Sequence, residues 1–267
     1  MQIATINGVK IHHAVTGPES GRAVLFINSL GTDFRVWDRV LPLLPEGTRV
    51  IRYDKRGHGL SECPAAPYFM GDLVAEAAGL LDHLGVGRVL VVGLSIGGQI
   101  AQGLAAERPD LVEAMVLSNT AAKIGTPDSW DTRIEEIHKG GIAALEEAIL
   151  SRWFSRAFRE SRPEELAGWR HMLCRTPEDG YVGCCYAIKD TDLVESTGRL
   201  TLPTLAIAGD EDGSTPPDLV RETAGLIPGA RFHLVRGAGH LPCVEQPADV
   251  AAALTEFMKE TALVREI

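Results

Sequence analysis

Residues 91–98 read Val91-Val92-Gly93-Leu94-Ser95-Ile96-Gly97-Gly98, an apolar run that enters a Gly-x-Ser-x-Gly turn before a helix-compatible segment. An abrupt change from strand to helix holds the serine backbone in a strained conformation, and Gly93 and Gly97 leave space where a Cβ would clash. The turn therefore predicts that the Ser95 hydroxyl is displayed at the carboxyl end of a sheet. The N–H of Ile96, at the start of the next helix, would point toward an oxyanion formed beside Ser95.

The composition indicates one large domain. The 267 residues are 45% hydrophobic, which is enough for a well-buried core that carries an insertion. The net charge of −10, without any run of lysine or arginine, argues against binding to nucleic acid or to an anionic membrane. No apolar stretch approaches the roughly 20 residues of a membrane-spanning helix, and no secretory signal is evident. We therefore expect a cytoplasmic protein. The sequence is compatible with a homo-oligomer.

The cysteines and histidines indicate neither a disulfide framework nor a metal site. The five cysteines are odd in number and contain no Cys-x-x-Cys pair. We interpret the adjacent Cys184 and Cys185 as small buried residues. His12 and His13 stand in a strand-like segment, where neighbouring side chains point to opposite faces, and no His-Glu-x-x-His motif occurs. We expect no metal and no other cofactor.

Strand and helix patterns alternate along most of the chain. Asn7-Gly8 predicts a hairpin between two N-terminal strands. Buried strands are predicted over residues 23–27, 49–53, 89–92, 114–117, 204–208 and 232–235. Helices are predicted over residues 37–44, 73–84, 96–107, 217–226 and 250–258.

This alternation predicts an α/β fold, a mostly parallel central sheet with helices on both faces. The strand signal disappears between Asn119 and about Thr197, where the sequence becomes helical. We therefore predict a core domain of residues 1–120 and 197–267 and an inserted helical cap of residues 121–196.

A serine nucleophile needs a histidine base and a carboxylate that orients the histidine. The strand 204–208 opens into a loop that carries three carboxylates, Asp210, Glu211 and Asp212, and the strand 232–235 opens into a loop that ends at His240. The order along the chain is thus serine, acid, histidine, each after a strand. His58 is a second candidate for the base.

This order and placement resemble the α/β-hydrolase superfamily over nearly the whole chain. The resemblance implies that Asp212 is the acid, because family members place it three residues after the loop glycine and ahead of a Thr-Pro like Thr215-Pro216. Asp210 remains the alternative. It also implies that His240 is the base and that His58 belongs to a structural turn.

The resemblance also implies where the second oxyanion donor lies. Many hydrolases of this fold carry His-Gly and then the donor in the loop after the third strand. Asn28-Ser29 occupies that place here, which maps the donor onto the backbone of Leu30, as the partner of Ile96.

Several stretches look like the 3-oxoadipate enol-lactonases of aromatic catabolism. They are residues 28–33 (Asn-Ser-Leu-Gly-Thr-Asp), Trp37-Asp38, residues 118–127 with Trp130 and Arg133, and residues 180–185 (Gly-Tyr-Val-Gly-Cys-Cys). The resemblance implies that Ser95 opens the enol-lactone to 3-oxoadipate, in the breakdown of protocatechuate or catechol. The partner would then be a small anionic lactone.

A carboxylate on the substrate calls for a local cation, because the overall charge of −10 repels anions at long range. Trp130, Arg133, Ile134 and Ile137 fall on one face of a predicted helix. We predict that Arg133 pairs with the substrate carboxylate and that Trp130 walls the pocket. The alternative is a surface network of Arg133 with Glu136 or Glu146. The next cationic candidates are Arg152, Arg156 and Arg170.

Other functions that occur on this fold can be compared with the residues of this sequence. A related lactonase or carboxylesterase would use the same triad, as would a cofactor-free haloperoxidase-like enzyme. Dehalogenases and epoxide hydrolases use Asp in the position of Ser95, which argues against them. A non-catalytic ligand-binding protein on this fold would be recognised by a degraded triad, and this triad is intact.

Overall fold

Eight strands form one sheet in the computed structural model, which describes residues 1–263. The strands are β1 (Gln2–Ile6), β2 (Val9–Thr16), β3 (Ala23–Ile27), β4 (Arg49–Tyr53), β5 (Val89–Leu94), β6 (Val112–Ser118), β7 (Thr204–Gly209) and β8 (Arg231–Val235). Their order across the sheet is β1-β2-β4-β3-β5-β6-β7-β8. β2 pairs antiparallel with β1 and β4, and the other neighbouring pairs are parallel. The carboxyl ends of β3 to β8 therefore share one edge of the sheet.

The same residues 1–263 contain eleven α-helices. They are α1 (Met70–His83), α2 (Ile96–Glu107), α3 (Pro127–Gly140), α4 (Glu146–Trp153), α5 (Arg156–Ser161), α6 (Pro163–Cys174), α7 (Glu178–Lys189), α8 (Val194–Thr197), α9 (Pro217–Gly225), α10 (Pro242–Glu245) and α11 (Pro247–Leu263). Three short 3₁₀ helices span Phe34–Trp37, Leu41–Leu43 and Ile142–Leu145.

Helices cover both faces of the sheet, and β7 shows how. Its side chains alternate between the two faces, as in any strand. Ala206 and Ala208 pack in a small apolar cluster with α9. Leu205 and Ile207 belong instead to the large core that includes residues of α11. The predicted fold, a mostly parallel sheet between two layers of helices, is confirmed.

The helix predicted over residues 37–44 is wrong. The chain there makes tighter turns, in which the Val40 N–H donates to Trp37 O at 2.9 Å and the Leu44 N–H donates to Leu41 O at 3.2 Å. These bonds join residues three apart, the 3₁₀ pattern. Pro42 has no N–H to continue an α-helical ladder. The apolar spacing was therefore a correct sign of burial and a wrong sign of helix type.

Helices α3 to α8 all lie between β6 and β7, in the segment predicted as a cap. The division of the chain into a core and a cap domain at residues 120/121 and 196/197 stays a prediction. One contact at the second boundary joins α8 to α2, where Thr197 Oγ1 donates to Gln102 Oε1 at 2.7 Å. None of the helices in residues 1–263 is long and apolar enough to cross a lipid bilayer.

Candidate active site

Ser95 occupies the single residue between β5 and α2. Its backbone is strained, with φ 58° and ψ −120°. The glycines on either side are required by close packing, because a Cβ on Gly93 would lie 2.2 Å from Gly97 O and a Cβ on Gly97 would lie 2.3 Å from Ile27 O. The sharp turn anticipated from the sequence is thus present, and it displays Ser95 at the carboxyl edge of the sheet.

Asp212 and His240 meet at the same edge. The Nδ1 of His240 donates to Asp212 Oδ2 over 2.9 Å, and both side chains are buried. Thr215 Oγ1 donates to the same carboxylate oxygen at 2.7 Å. The other oxygen accepts the N–H groups of Ser214 at 2.7 Å and Thr215 at 3.1 Å. With Nδ1 committed to Asp212, the Nε2 of His240 is left for proton transfer.

The electrostatics of Asp212 favour its ionised form. Burial by itself raises the pKa of this carboxyl, but the charge and hydrogen bond of His240, with hydrogen bonds from Asn119 and Ser214, outweigh burial and hold the pKa below its ordinary value. Asn119 Nδ2 donates to Asp212 Oδ2 at 2.9 Å. Asn119 directly follows β6, and sequence reasoning gave it no role in the site; its position after a strand was the available signal.

The other two loop carboxylates have different partners. Asp210 accepts the N–H groups of Gly237 at 2.8 Å and Ala238 at 3.3 Å, which shapes the turn after β8. Glu211 accepts the N–H of Arg156 at 3.2 Å. The loop geometry therefore pairs His240 with Asp212 and leaves Asp210 as a structural residue.

Two backbone amides close to Ser95 in the chain or at the cavity have no hydrogen-bond partner in the described residues. Within residues 1–263, neither the Leu30 N–H nor the Ile96 N–H makes a hydrogen bond. Ile96 is the first residue of α2, where the N–H has no intrahelical acceptor. Leu30 lies in the loop after β3, and both Leu30 and Ser95 line the same cavity. The geometry therefore suits the oxyanion donors predicted at Leu30 and Ile96.

The loop that carries Leu30 is held by a turn after β4. His58 Nε2 accepts the Gly31 N–H at 2.9 Å, and its Nδ1 donates to Arg56 O at 3.2 Å. Burial, with a smaller effect of the Lys55 charge, lowers the pKa of His58 well below 6.5, so the ring is neutral. His58 thus contacts the loop rather than Ser95, which agrees with the structural role implied by the resemblance.

Ser95, Leu30 and His240 open into a cavity of about 550 Å³. Its other walls come from the predicted cap, with Trp130 of α3 and Tyr181 of α7, and from Ser29 and residues 213–215 of the core. The cavity is large enough for a small metabolite. Five of the seven residues predicted for the site line this cavity, Asp212 is bonded to His240, and Ile96 follows Ser95 in the chain; their roles stay predictions.

Two arginines line this cavity, Arg133 of α3 and Arg152 of α4. The Arg133 guanidinium lies over the Trp130 ring, 4.9 Å from its centroid. In residues 1–263 neither arginine forms an ion pair with a carboxylate, although Glu136 lines the same cavity. The surface network considered for Arg133 is absent from this part of the chain, since Glu146 pairs with Arg170.

The remaining cationic candidates point elsewhere. Arg156 pairs with Glu160 on the surface at 2.7 Å, and Arg170 pairs with Glu146 and Glu147. Both carry carboxylate partners outside the cavity.

Helix α4 ends directly on the loops of Asp212 and His240. The Gly213 N–H donates to Arg152 O and the Leu241 N–H donates to Trp153 O, both at 3.3 Å. Just beyond α4, Ser155 Oγ donates to Glu245 at 2.5 Å, and the same carboxylate accepts the Gly239 N–H at 2.7 Å. The wall that carries Arg152 is therefore fixed relative to His240.

No group of three or more histidine, cysteine or carboxylate side chains that could hold a metal ion occurs in the described residues. All five cysteines are free, and Cys184 and Cys185 are buried as the sequence suggested. Burial raises the pKa of Cys184 to about 12, which keeps it a thiol.

Comparison with known proteins agrees with this geometry. The family model described as the alpha/beta hydrolase family matches residues 24–253. The chain belongs to this family. The hydrolase is 32% identical over 261 residues to 3-oxoadipate enol-lactonase 2 of Acinetobacter baylyi, with 96% of this chain and 95% of the relative covered.

Solved structures give the same result. The crystal structure of the enol-lactonase from Burkholderia xenovorans matches the hydrolase with a TM-score of 0.93 and 35% identity, over 97% of this chain and 100% of that one. A thermophilic esterase from Thermogutta terrifontis, with malate bound, matches with a TM-score of 0.91 and 27% identity, over 98% and 99% of the two chains. The resemblance to enol-lactonases is confirmed, within a family whose members include esterases.

Proposed function

We propose that this hydrolase opens 3-oxoadipate enol-lactone, a small lactone with one carboxylate, by a Ser-His-Asp mechanism in the catabolism of aromatic compounds. The observation that carries the proposal is the pair of cavity arginines, Arg133 and Arg152, which have no carboxylate partner in residues 1–263. A cation in a partly buried cavity gains most when an anionic ligand joins it. The similarity to two enol-lactonases supports the same substrate.

In the first step, His240 Nε2 takes the proton of Ser95 Oγ, and Oγ attacks the lactone carbonyl carbon. The carbonyl π electrons move to oxygen, and the N–H groups of Leu30 and Ile96 stabilise this oxyanion. When the oxyanion collapses, the bond from the carbonyl carbon to the ring oxygen breaks. The ring oxygen leaves as an enol that receives the proton from His240, and the acyl group remains on Ser95.

In the second step, His240 takes a proton from water, and the water oxygen attacks the acyl carbon. A second oxyanion forms at Leu30 and Ile96, and collapse breaks the ester bond to Ser95, which recovers its proton from His240. Asp212 holds the His240 ring in one orientation and stabilises the imidazolium that forms in both steps. The released enol converts to the ketone, which helps to make ring opening irreversible.

The arginines account for the choice of substrate. Arg133 lies against the Trp130 ring, which presents an apolar and electron-rich surface to the same space. A carboxylate held there would gain charge-assisted hydrogen bonds, while Trp130 would pack on the lactone ring. Arg152, fixed beside the loop of Asp212, supplies a second positive charge to the cavity.

The test compares the carboxylated enol-lactone with a neutral ester, p-nitrophenyl acetate, in four variants. Ser95→Ala should abolish the burst of p-nitrophenol, because no acyl-enzyme can form. Arg133→Gln and Arg152→Gln remove single cavity charges. Arg156→Gln is the matched control, since it removes a cap arginine that pairs with Glu160 outside the cavity.

We expect Arg133→Gln to raise KM for the enol-lactone by about 10- to 100-fold, the factor that corresponds to about 1.5–3 kcal/mol for a hydrogen bond to a charged group. KM for p-nitrophenyl acetate should change little, and Arg156→Gln should match the wild type on both substrates. If neither cavity variant changes KM for the lactone, the proposed substrate site is wrong. If the wild type prefers the neutral ester, the protein is a general esterase.

A further inference from the structure

The peptide bond between Ser29 and Leu30 has unusual partners on its carbonyl side. Lys55 Nζ donates to Ser29 O at 2.6 Å and lies 3.4 Å from Asn28 O. The Lys55 side chain is wholly buried, with 0% of the residue exposed. In residues 1–263 it forms no ion pair with a carboxylate within 4.0 Å, so its hydrogen bonds go to backbone carbonyls of the Leu30 loop.

The peptide bond between Ser95 and Ile96 is held in a similar way. Ser95 O accepts a hydrogen bond from Thr120 Oγ1 at 2.6 Å and from the Gly98 N–H at 2.8 Å. Thr120 is also wholly buried. Each proposed oxyanion donor is therefore the N–H of a peptide whose own carbonyl is bound by a buried side chain.

We propose that Lys55 and Thr120 are positioning residues of the oxyanion hole, which act through the peptide bonds that carry the Leu30 and Ile96 N–H groups. The inference rests on the hydrolytic mechanism proposed above. The C=O and N–H of a trans peptide point in opposite directions in one plane. A donor that fixes Ser29 O therefore also fixes the direction of the Leu30 N–H, and Thr120 does the same for Ile96.

The same contacts strengthen the two donors. A hydrogen bond to a peptide carbonyl polarises the amide, and hydrogen bonds in series reinforce one another. The effect is greatest for a charged donor in a dry site, where a single charge acts over a short distance with little screening. Lys55 is such a donor. His58, in the same turn as Lys55, accepts the Gly31 N–H, so the loop is hydrogen-bonded on both sides of Leu30.

A buried lysine is costly to a fold, because its charge leaves water. Burial lowers the pKa of Lys55 to about 8, in spite of the carboxylates of Asp54, Glu76 and Asp33, which favour the charged form, whereas the neighbouring Cys184 is a neutral thiol. The other ionisable group that faces it is His58, which is neutral. Near neutral pH the side chain is therefore mostly an ammonium group directed at the loop of Leu30.

The experiment measures p-nitrophenyl acetate hydrolysis in five variants, together with inhibition by a trifluoromethyl ketone, whose adduct with Ser95 carries an oxyanion. Lys55→Met removes the charged donor and leaves Ser29 O with the hydroxyl and N–H of Thr32, and Lys55→Gln keeps a neutral donor. Thr120→Val removes a hydroxyl at nearly constant volume, and Thr120→Ser restores it. The control is Thr197→Val, which removes a wholly buried hydroxyl that contacts Gln102. Burst amplitude gives the fraction of folded, active protein.

Loss of a complete oxyanion donor costs about 100- to 1,000-fold in kcat, so weakening one should cost about 10- to 100-fold. We expect this loss per active site in Lys55→Met and Thr120→Val, with KM little changed, because the oxyanion exists only in the transition state. The inhibition constant should weaken by a similar factor. Lys55→Gln should lie in between, Thr120→Ser should recover most of the loss, and Thr197→Val should equal the wild type.

The pH profile separates the charge of Lys55 from its packing. The kcat of the wild type should fall as the pH rises through about 8. The kcat of Lys55→Gln should not fall over this pH range. The proposal would be overturned if Lys55→Gln and Thr120→Val gave a full burst with the wild-type kcat and the wild-type inhibition constant. This outcome decides the question even if Lys55→Met does not fold. Turnover that survives Ser95→Ala would overturn the mechanism itself and this inference with it.

Discussion

The contact between Asn119 and Asp212 offers a direct test of how the site is held. Asn119 Nδ2 donates to Asp212 Oδ2 at 2.9 Å and to Gly239 O at 3.3 Å. The Asn119 backbone has φ 47°, in the left-handed region. Glycine adopts this conformation without strain, so Asn119→Gly leaves the main chain free to keep its path. It deletes both of these hydrogen bonds and also the one that Ser118 Oγ donates to Asn119 Oδ1 at 3.0 Å.

The expected loss of stability in Asn119→Gly depends on the hydrogen bonds that Asp212 keeps. A hydrogen bond to a charged group contributes about 1.5–3 kcal/mol to stability. Asp212 keeps the hydrogen bonds from the N–H groups of Ser214 and Thr215 and from the Thr215 hydroxyl, so the carboxylate still has hydrogen-bond donors. We therefore expect Asn119→Gly to lower the free energy of unfolding at pH 7 by about 1.5–3 kcal/mol beyond the effect of the glycine itself.

The pH dependence of this loss has a definite sign. The pKa of Asp212 in the folded protein lies below its ordinary value of 3.8. Its stabilising contribution is therefore present above pH 3.8 and is lost as the pH falls through the lower folded-state pKa. Without the donor from Asn119 that pKa rises, and the acid-unfolding midpoint should move to higher pH.

Urea unfolding at pH 7 and an acid titration followed by circular dichroism measure both effects. The control is Asn7→Gly, since Asn7, on the exposed hairpin, has φ 49° and donates to Ala75 O of α1. A loss equal to that of Asn7→Gly, or an unchanged acid midpoint, would refute the role given to Asn119.

Two further predictions concern packing. Gly97→Ala places a Cβ 2.3 Å from Ile27 O, so overpacking should lower the free energy of unfolding by about 1–3 kcal/mol and lower the thermal midpoint. Gly225→Ala, where a Cβ meets no atom within 4 Å, should have no such effect. Equal melting curves for the two variants would contradict this prediction. In native protein at pH 8, an aromatic disulfide reagent should label at most the two half-buried thiols, Cys63 and Cys174, and should label all five cysteines after denaturation. Rapid labelling of a third thiol before unfolding would be inconsistent with the buried positions of the others.

Sequence reasoning was strongest where the decisive contacts are local. The turn at Ser95 is partly a local feature, because a Cβ on Gly93 would meet Gly97 O only four positions along the chain, and glycine is the residue type that such packing admits. Alternating strands and helices imply a parallel sheet, which brings strand ends to one edge. This is why Ser95, His240 and the carboxylate loop of residues 210–212 could be placed together from their positions alone.

Sequence reasoning was weaker where several nearby residues offer the same chemistry. Asp210 and Asp212 differ by two positions in one loop, and the choice depends on which carboxylate the folded loop turns toward His240. The helix predicted over residues 37–44 failed for a related reason, since apolar spacing reports burial and does not separate α from 3₁₀ turns.

By itself, then, the sequence determined the sheet, the strained serine and the order of the triad, because local sterics and strand periodicity encode them. Only the tertiary structure decided which groups support these residues. Asn119 meets Asp212 across 93 positions of the chain, and Lys55 reaches Ser29 O across 26. Arg152 joins the cavity because α4 ends on the loops of Asp212 and His240. Such contacts depend on how distant elements pack, which no local pattern specifies.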